Sequence, residues 1–274
     1  MQSGSIFSYL RKGRKYVGLF RIHLKNHFAY VHDFLIRTLF LLVVLFIFTQ
    51  LWGVTYEVTG RDRIAGFSLP MMMWYLTVTE SMMMAYPPLV ERVEQEVKSG
   101  QVAVTLIRPF SYVGAHFSAY LAEFILRLSI NLVIGGALVF LLFGPPEVGP
   151  GQAGRFLLFL PVSLVIHFSF TMCIALLAFW FEEVQGFHLI YTRLLMTLGG
   201  MMLPLEIFPE SVERLAHVLP FQAVIYLPAK MMVTEPGGLW WSLWLKQIGW
   251  ALFSLALMGA IYRRGVRNLD LNGG

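Results

Sequence analysis

Residues 39–48 are ten apolar residues in a row, and they sit within one of several stretches that approach twenty. A helix needs about 20 residues to cross roughly 30 Å of hydrocarbon. In that solvent every backbone polar group must be satisfied internally, which leaves only helices and closed barrels. Repeated stretches of this length therefore predict an all-α, polytopic membrane protein. Composition agrees, since 57% of the 274 residues are hydrophobic and 14% are charged, against roughly 45–50% and about 25% in ordinary globular chains. A secreted disulfide scaffold, a disordered tail and a free cytosolic enzyme are excluded. The lone Cys173 allows neither an internal disulfide nor a CxxC metal site.

Six spans are predicted, at about 34–54, 64–86, 113–143, 156–181, 186–203 and 239–262. Residues 1–32 precede them and interleave Arg11, Lys12, Arg14, Lys15, Arg21 and Lys25 with Phe7, Leu10, Tyr16, Phe20, Leu24 and Phe28. That mixture suits a helix lying in the headgroup plane, and the segment reads as retained, with no small-residue cleavage motif. The chain thus divides into an interfacial helix, 1–32, and a six-span domain, 33–274. Within the latter, 88–108 forms the most charged loop. Residues 204–238 are cut by Pro204, Pro209, Pro220, Pro228 and Pro236 into pieces too short to span, which predicts a re-entrant hairpin of two short helices between spans 5 and 6.

The net charge of +5 comes from 21 basic and 16 acidic residues. The basic surplus gathers at span ends, where it reports topology rather than a nucleic-acid partner. Lys and Arg concentrate in residues 1–37, in the 88–108 loop and in the tail, at Arg263, Arg264 and Arg267. The predicted location is the cell (inner or plasma) membrane, multi-pass, with both termini cytoplasmic.

Few polar residues point to chemistry. Residues 149–155 hold three glycines but lack the GK[ST] ending of a phosphate loop. The seven histidines show no paired-ligand spacing, and Met71 to Met73 and Met82 to Met84 point in different directions around a helix, as packing residues do. Nothing assembles a nucleophile with a base, so no enzymatic activity is predicted. Glu80 falls inside the second span, where a carboxylate is costly and marks function; seven residues before Pro87, it also suits snorkelling to the interface. Glu123 and Arg127 stand i, i+4 with the acid first, the favoured order for a helical ion pair. That pair reads either as structural or as part of an ion site.

Three sequence runs carry a family likeness: Lys15-Tyr16 through Tyr30 into Asp33-Phe34; Ser99-Gly100 followed by Leu106-Ile107-Arg108-Pro109; and Pro204-Leu205-Glu206-Ile207-Phe208-Pro209 with Leu219-Pro220-Phe221 and Tyr226-Leu227-Pro228. With these, nearly the whole chain resembles the permeases of type-2 ABC exporters, the ABC-2 membrane family, in its paired-permease subfamily of about 260–270 residues. The resemblance implies a transmembrane subunit that moves a drug, lipid or other amphiphile. It also implies cytosolic ATPase subunits as partners, with ATP and Mg bound there and no cofactor on this chain. A second permease, identical or different, and membrane lipid complete the assembly. The same resemblance makes 88–108 a coupling loop whose Glu91, Arg92, Glu94, Glu96, Lys98 and Arg108 meet the ATPase. The alternative reading is a secondary transporter or ion channel that uses Glu80 and the Glu123/Arg127 pair.

Overall fold

A computed structural model describes residues 15–25, 31–107, 110–146, 149–235 and 237–272. The described chain is helical apart from turns, with one isolated β-bridge between Ile64 and Phe67. Residues 15–25 form α1; the rest of the predicted interfacial segment, 1–14 and 26–30, lies outside the described residues. Then come α2 (Val31–Thr59), α3 (Leu69–Ala85), α4 (Leu89–Lys98), α5 (Gln101–Leu106), α6 (Tyr112–Phe143) and α7 (Pro150–Leu176). The order continues with α8 (Gln185–Thr197), α9 (Glu210–Val218), α10 (Tyr226–Val233) and α11 (Trp240–Asn272).

Local chemistry sets these bounds. The hydroxyls of Thr49, Thr55 and Thr59 in α2 donate back to carbonyls four residues earlier, so polar side chains in an apolar helix bring their own partners. Gly60, at a φ of 60°, ends α2 in the left-handed cap that glycine adopts without steric cost. Ser68 caps α3 by accepting from the Met71 N–H at 3.4 Å, with Pro70 in the first turn. Pro87 and Pro88 follow the other end of α3 and begin α4 at a new angle.

Among the described residues, four helices are long and apolar enough to cross a membrane: Thr38–Thr59, Tyr112–Phe143, Pro150–Phe179 and Trp240–Arg267. They correspond to predicted spans 1, 3, 4 and 6. α7 starts about six residues before the predicted 156, because Pro150 suits the first helical position. At predicted span 2, α3 has 17 residues. At predicted span 5, α8 has 13, stopping before Gly199 and Gly200. Among its described residues the 204–238 segment holds α9, α10 and 3-10 turns at Leu205–Ile207 and Pro220–Ala223, and a third, Gly237–Leu239, begins at its end.

The helices gather in two groups. α2, α3 and α6 pack together, as do α7, α10 and α11, with α10 against α3 and α4 against α7 bridging them. Close approach in the first group uses Gly135, where an added Cβ would lie 3.1 Å from Leu45 and 3.3 Å from Leu41. Asn131 on α6 accepts from Thr38 on α2 (3.1 Å) and donates to the Ser81 carbonyl on α3 (3.2 Å), joining all three. In the second group the buried Gln247 on α11 donates to the carbonyls of Phe159 and Ala223. α7 is the axis, with 72% of its most apolar stretch buried, against 28% for α2 and 22% for α11.

Candidate functional site

α4 is amphipathic in the simplest way. Leu89, Val90, Val93 and Val97 recur at helical spacing and pack into the bundle, while Glu91, Gln95, Lys98 and Ser99 face outward. Gly100, at a φ of 72°, makes the left-handed turn that separates α4 from α5. Two clefts flank the helix. One of about 660 Å³ is lined by Arg92, Gln95, Glu96, Lys98, Ser99 and Gln101. The other, about 500 Å³, lies between α4 and the end of α7, where Phe179, Trp180, Phe181 and Glu182 form its far wall.

Three polar ties fasten α4 to the membrane helices. Arg92 reaches α6 and binds the fully buried Glu123 through both terminal nitrogens, at 2.6 and 3.0 Å. Glu123 also pairs with Arg127 one turn further along α6, so two guanidiniums share one carboxylate. Glu96 accepts from the Tyr112 hydroxyl at 2.9 Å and lies 3.2 Å from Nε2 of His116, both on α6. Glu94, buried, accepts from Lys98 at 2.6 Å and from Gln185 of α8 at 2.7 Å. The Lys98 hydrogen bond holds the Glu94 carboxyl below its ordinary pKa, against the opposing effect of burial and with help from Gln185.

The predicted site residues therefore separate into three sets. Arg92, Glu94 and Glu96 turn inward or sideways onto α6 and α8, whereas Glu91 and Lys98 are exposed on the rim. Arg108 lies outside the described residues. Glu123 and Arg127 meet as their spacing predicts and gain Arg92 as a third member. Glu80 is buried on α3, and no hydrogen bond or ion pair joins it to that trio. Sequence reading missed Gln185, Tyr112 and His116, whose partners are 16 to 91 positions away along the chain; no spacing rule reaches that far.

α1 docks on the same end. The Tyr16 hydroxyl accepts from the Ser111 N–H at 3.0 Å, and its ring covers Gly114, where a Cβ would lie 2.7 Å away. Nearby, burial and then the Arg92 guanidinium push the His23 imidazole below its ordinary pKa.

Behind α4 an aromatic seam joins the two helix groups. The His167 ring of α7 stacks on Tyr86 at 3.5 Å, Tyr86 stacks on Phe124, and the Tyr120 hydroxyl lies 2.6 Å from Nδ1 of His167. At the far end of the same seam, the Tyr75 hydroxyl donates to the Gly200 carbonyl and Thr79 to that of Met201 at 2.8 Å. There Lys230 and Tyr226 on α10 both bond Oε1 of Glu206 at 2.6 Å.

Long apolar helices with a short charged helix fastened to one end define a multi-pass membrane protein. The profile of the ABC-2 family transporter proteins matches residues 32–273, and the chain belongs to that family, as a membrane component of transport. No curated protein matches its sequence.

Proposed function

We propose that the chain is the permease subunit of an ATP-driven exporter, with α4 and α5 as the element that a separate cytosolic ATPase moves. The observation carrying this reading is the double nature of α4, exposed along one rim beside two clefts and tied by Arg92, Glu94 and Glu96 to α6 and α8. A helix bound this way transmits displacement to the spans rather than bending away from them. On this reading Glu91, Gln95, Lys98 and Ser99 touch the ATPase, while Arg92, Glu94 and Glu96 transmit its movement. ATP and Mg reside on that partner. Arg108, which follows α5 in the sequence, carries a guanidinium of the kind that suits lipid phosphate.

In the same reading α3 and α8 complete six crossings, with both termini cytoplasmic and 204–238 as a hairpin at the outer face. A second permease, identical or different, covers the exposed flanks of α2 and α11 and encloses the path. The chain's own Cys173 is buried, which leaves a cysteine introduced on the α4 rim as the accessible thiol for the test. With Gln95→Cys or Ser99→Cys in the full chain in native membranes, a bifunctional thiol crosslinker captures an ATPase subunit. No ATPase adduct at either position, with transport that follows an ion gradient and fails in Glu80→Gln, would give the role to an ion-coupled transporter instead.

A further inference from the structure

A cavity of about 420 Å³ opens at the α4 end, where α2, the end of α3, α6, α7 and α8 converge. Its volume falls within the range of small-molecule sites. Phe40 of α2 and Met83, Met84 and Tyr86 at the end of α3 make its apolar and aromatic lining. Arg127, His167, His188 and Thr192, from α6, α7 and α8, supply its polar groups. We infer that this cavity binds a neutral, drug-sized aromatic molecule that carries a carbonyl-type acceptor.

Charge argues for neutrality. Among the described residues no Asp or Glu lines the cavity, and Arg127 on its wall is already ion-paired with Glu123. A ligand charge of either sign would be buried there without a counterion of its own, which is costly. The apolar lining argues for a ring. Tyr86 is held between His167 and Phe124, so its ring edge is what remains to meet a ligand, and an edge suits T-shaped contact with an aromatic face. Met83 and Met84 add thioethers, which adapt in shape and pack favourably against aromatic rings.

The acceptor follows from His167. This side chain is buried, its Nδ1 lies 2.6 Å from the Tyr120 hydroxyl, and one ring face is covered by Tyr86. With that hydroxyl donating, Nε2 carries the ring proton, and among the described residues no protein group accepts it. A buried N–H without an acceptor is costly, and the cavity that His167 lines is where an acceptor can stand. Water meets that donor but gains nothing from the methionines and rings, whereas a hydrocarbon fills the lining and leaves the donor unmet. Phe40 on α2, and Phe187, Leu189 and Ile190 beside His188 on α8, are exposed and apolar. The approach to the cavity therefore runs through hydrocarbon, where neutral aromatic molecules concentrate.

Calling the bound molecule cargo rests on the exporter reading; the site itself does not. The test is photolabelling of the full chain in phosphatidylcholine nanodiscs with benzophenone, a neutral diaryl ketone whose excited carbonyl attaches to nearby C–H bonds and favours methionine. Adducts at Met83 and Met84 saturate with dose, while those at Met202, exposed elsewhere on the chain, rise in proportion to it. Competitors are compared at equal concentration in the bilayer. Benzanilide, neutral with a carbonyl, suppresses the saturable labelling. Diphenylmethane, which has the rings but no acceptor, does so roughly tenfold more weakly. The para-carboxylate and para-trimethylammonium derivatives of benzanilide are weaker by at least about tenfold. Thr192→Phe fills the cavity and abolishes the saturable labelling while Met202 is labelled as before. Proportional labelling at Met83 and Met84 overturns the site, and equal competition by either charged derivative overturns the neutral class. Equal competition by diphenylmethane overturns the acceptor, and wild-type labelling of Thr192→Phe overturns the location. The competitor series needs no variant to fold. Absence of saturable labelling with ATPase capture intact at Gln95→Cys is failure of this site alone; saturable labelling without capture keeps the site and removes its place in an exporter.

Discussion

The two ends of the molecule are held together by different chemistry. At the α4 end charged groups cross between elements, from Arg92 on α4 to Glu123 on α6, from Glu96 to Tyr112 and His116, and from Glu94 to Gln185 on α8. At the 204–238 end the ion pairs among the described residues stay inside their own segment, as between Glu206 and Lys230, Lys246 of α11 reaches a neutral carbonyl, that of His217, and the links back to α3 are neutral, from Tyr75 and Thr79 to backbone carbonyls. Charge that spans elements makes them move as one body, whereas a segment that neutralises itself separates from its neighbours at the cost of a few neutral hydrogen bonds. On the proposed reading the α4 end would then be the lever and the 204–238 end a lid.

The most severe way to break this contrast is Glu123→Gln. It leaves two guanidiniums, Arg127 nearly buried, around a neutral amide, and removing one partner of a buried ion pair costs about 3–5 kcal/mol. Thermal unfolding in detergent should fall by many degrees, and protection from hydrogen exchange should drop in α4 and α6 together. If α4 alone loosened, it would not be a lever. Lys230→Met is the counterpart at the other end. Lys230 and Glu206 are each about three-quarters buried, and losing a hydrogen bond to a charged group costs roughly 1.5–3 kcal/mol. Exchange should rise across 204–233 while α4 and α6 stay protected. Tyr75→Phe comes next, with an expected cost of about 0.6 kcal/mol, typical of one interhelical hydrogen bond in a membrane protein. It should speed exchange near Gly200 and leave crosslinking at Gln95→Cys unaltered; a change at the α4 end would show that the ends are one body after all.

How much of this was legible in the sequence follows the same division. Long apolar helices are written as uninterrupted runs, so α2, α6, α7 and α11 can be read directly, and Glu123 and Arg127 meet because both lie on one helix at a spacing with a fixed geometry. Gly100 and the prolines around 204–238 mark breaks for equally local reasons. The rest is tertiary. Arg92 and Glu94 read as surface charges because a charged helix outside the membrane is ordinarily solvated, and nothing in the sequence says that Glu123 and Gln185 stand opposite them. His167 looked like an isolated histidine until α7 brought it against Tyr86 and Tyr120. Families keep the order of such elements, which is why the likeness carried by Ser99-Gly100 and Leu106-Ile107-Arg108-Pro109 singles out the 88–108 loop when periodicity does not. The likeness named the loop's residues without telling which face inward.

The smallest effect is also the one that most sharply separates the ends, because it depends on pH. Glu94 has its folded pKa lowered chiefly by the Lys98 hydrogen bond, with Gln185 assisting. Its contribution is therefore complete above the ordinary glutamate value of about 4.3 and is lost as the pH falls through the lower, folded value. Glu94→Gln removes the charge and keeps the shape. The wild type should melt slightly above this variant at neutral pH, by less than Tyr75→Phe costs, because Lys98 is half-exposed and water screens its charge. On acidification the two melting curves should converge, and exchange in α4 and the start of α8 should become equal in the two proteins. At the other end Tyr75 and Thr79 donate to carbonyls that take up no proton in this range, so exchange near Gly200 and Met201 should show no corresponding difference. A gap that persists undiminished in acid would mean that α4 is held to α8 by packing of Val93 and Val97 rather than by charge, and the lever would then owe its stiffness to the same apolar contacts as the lid.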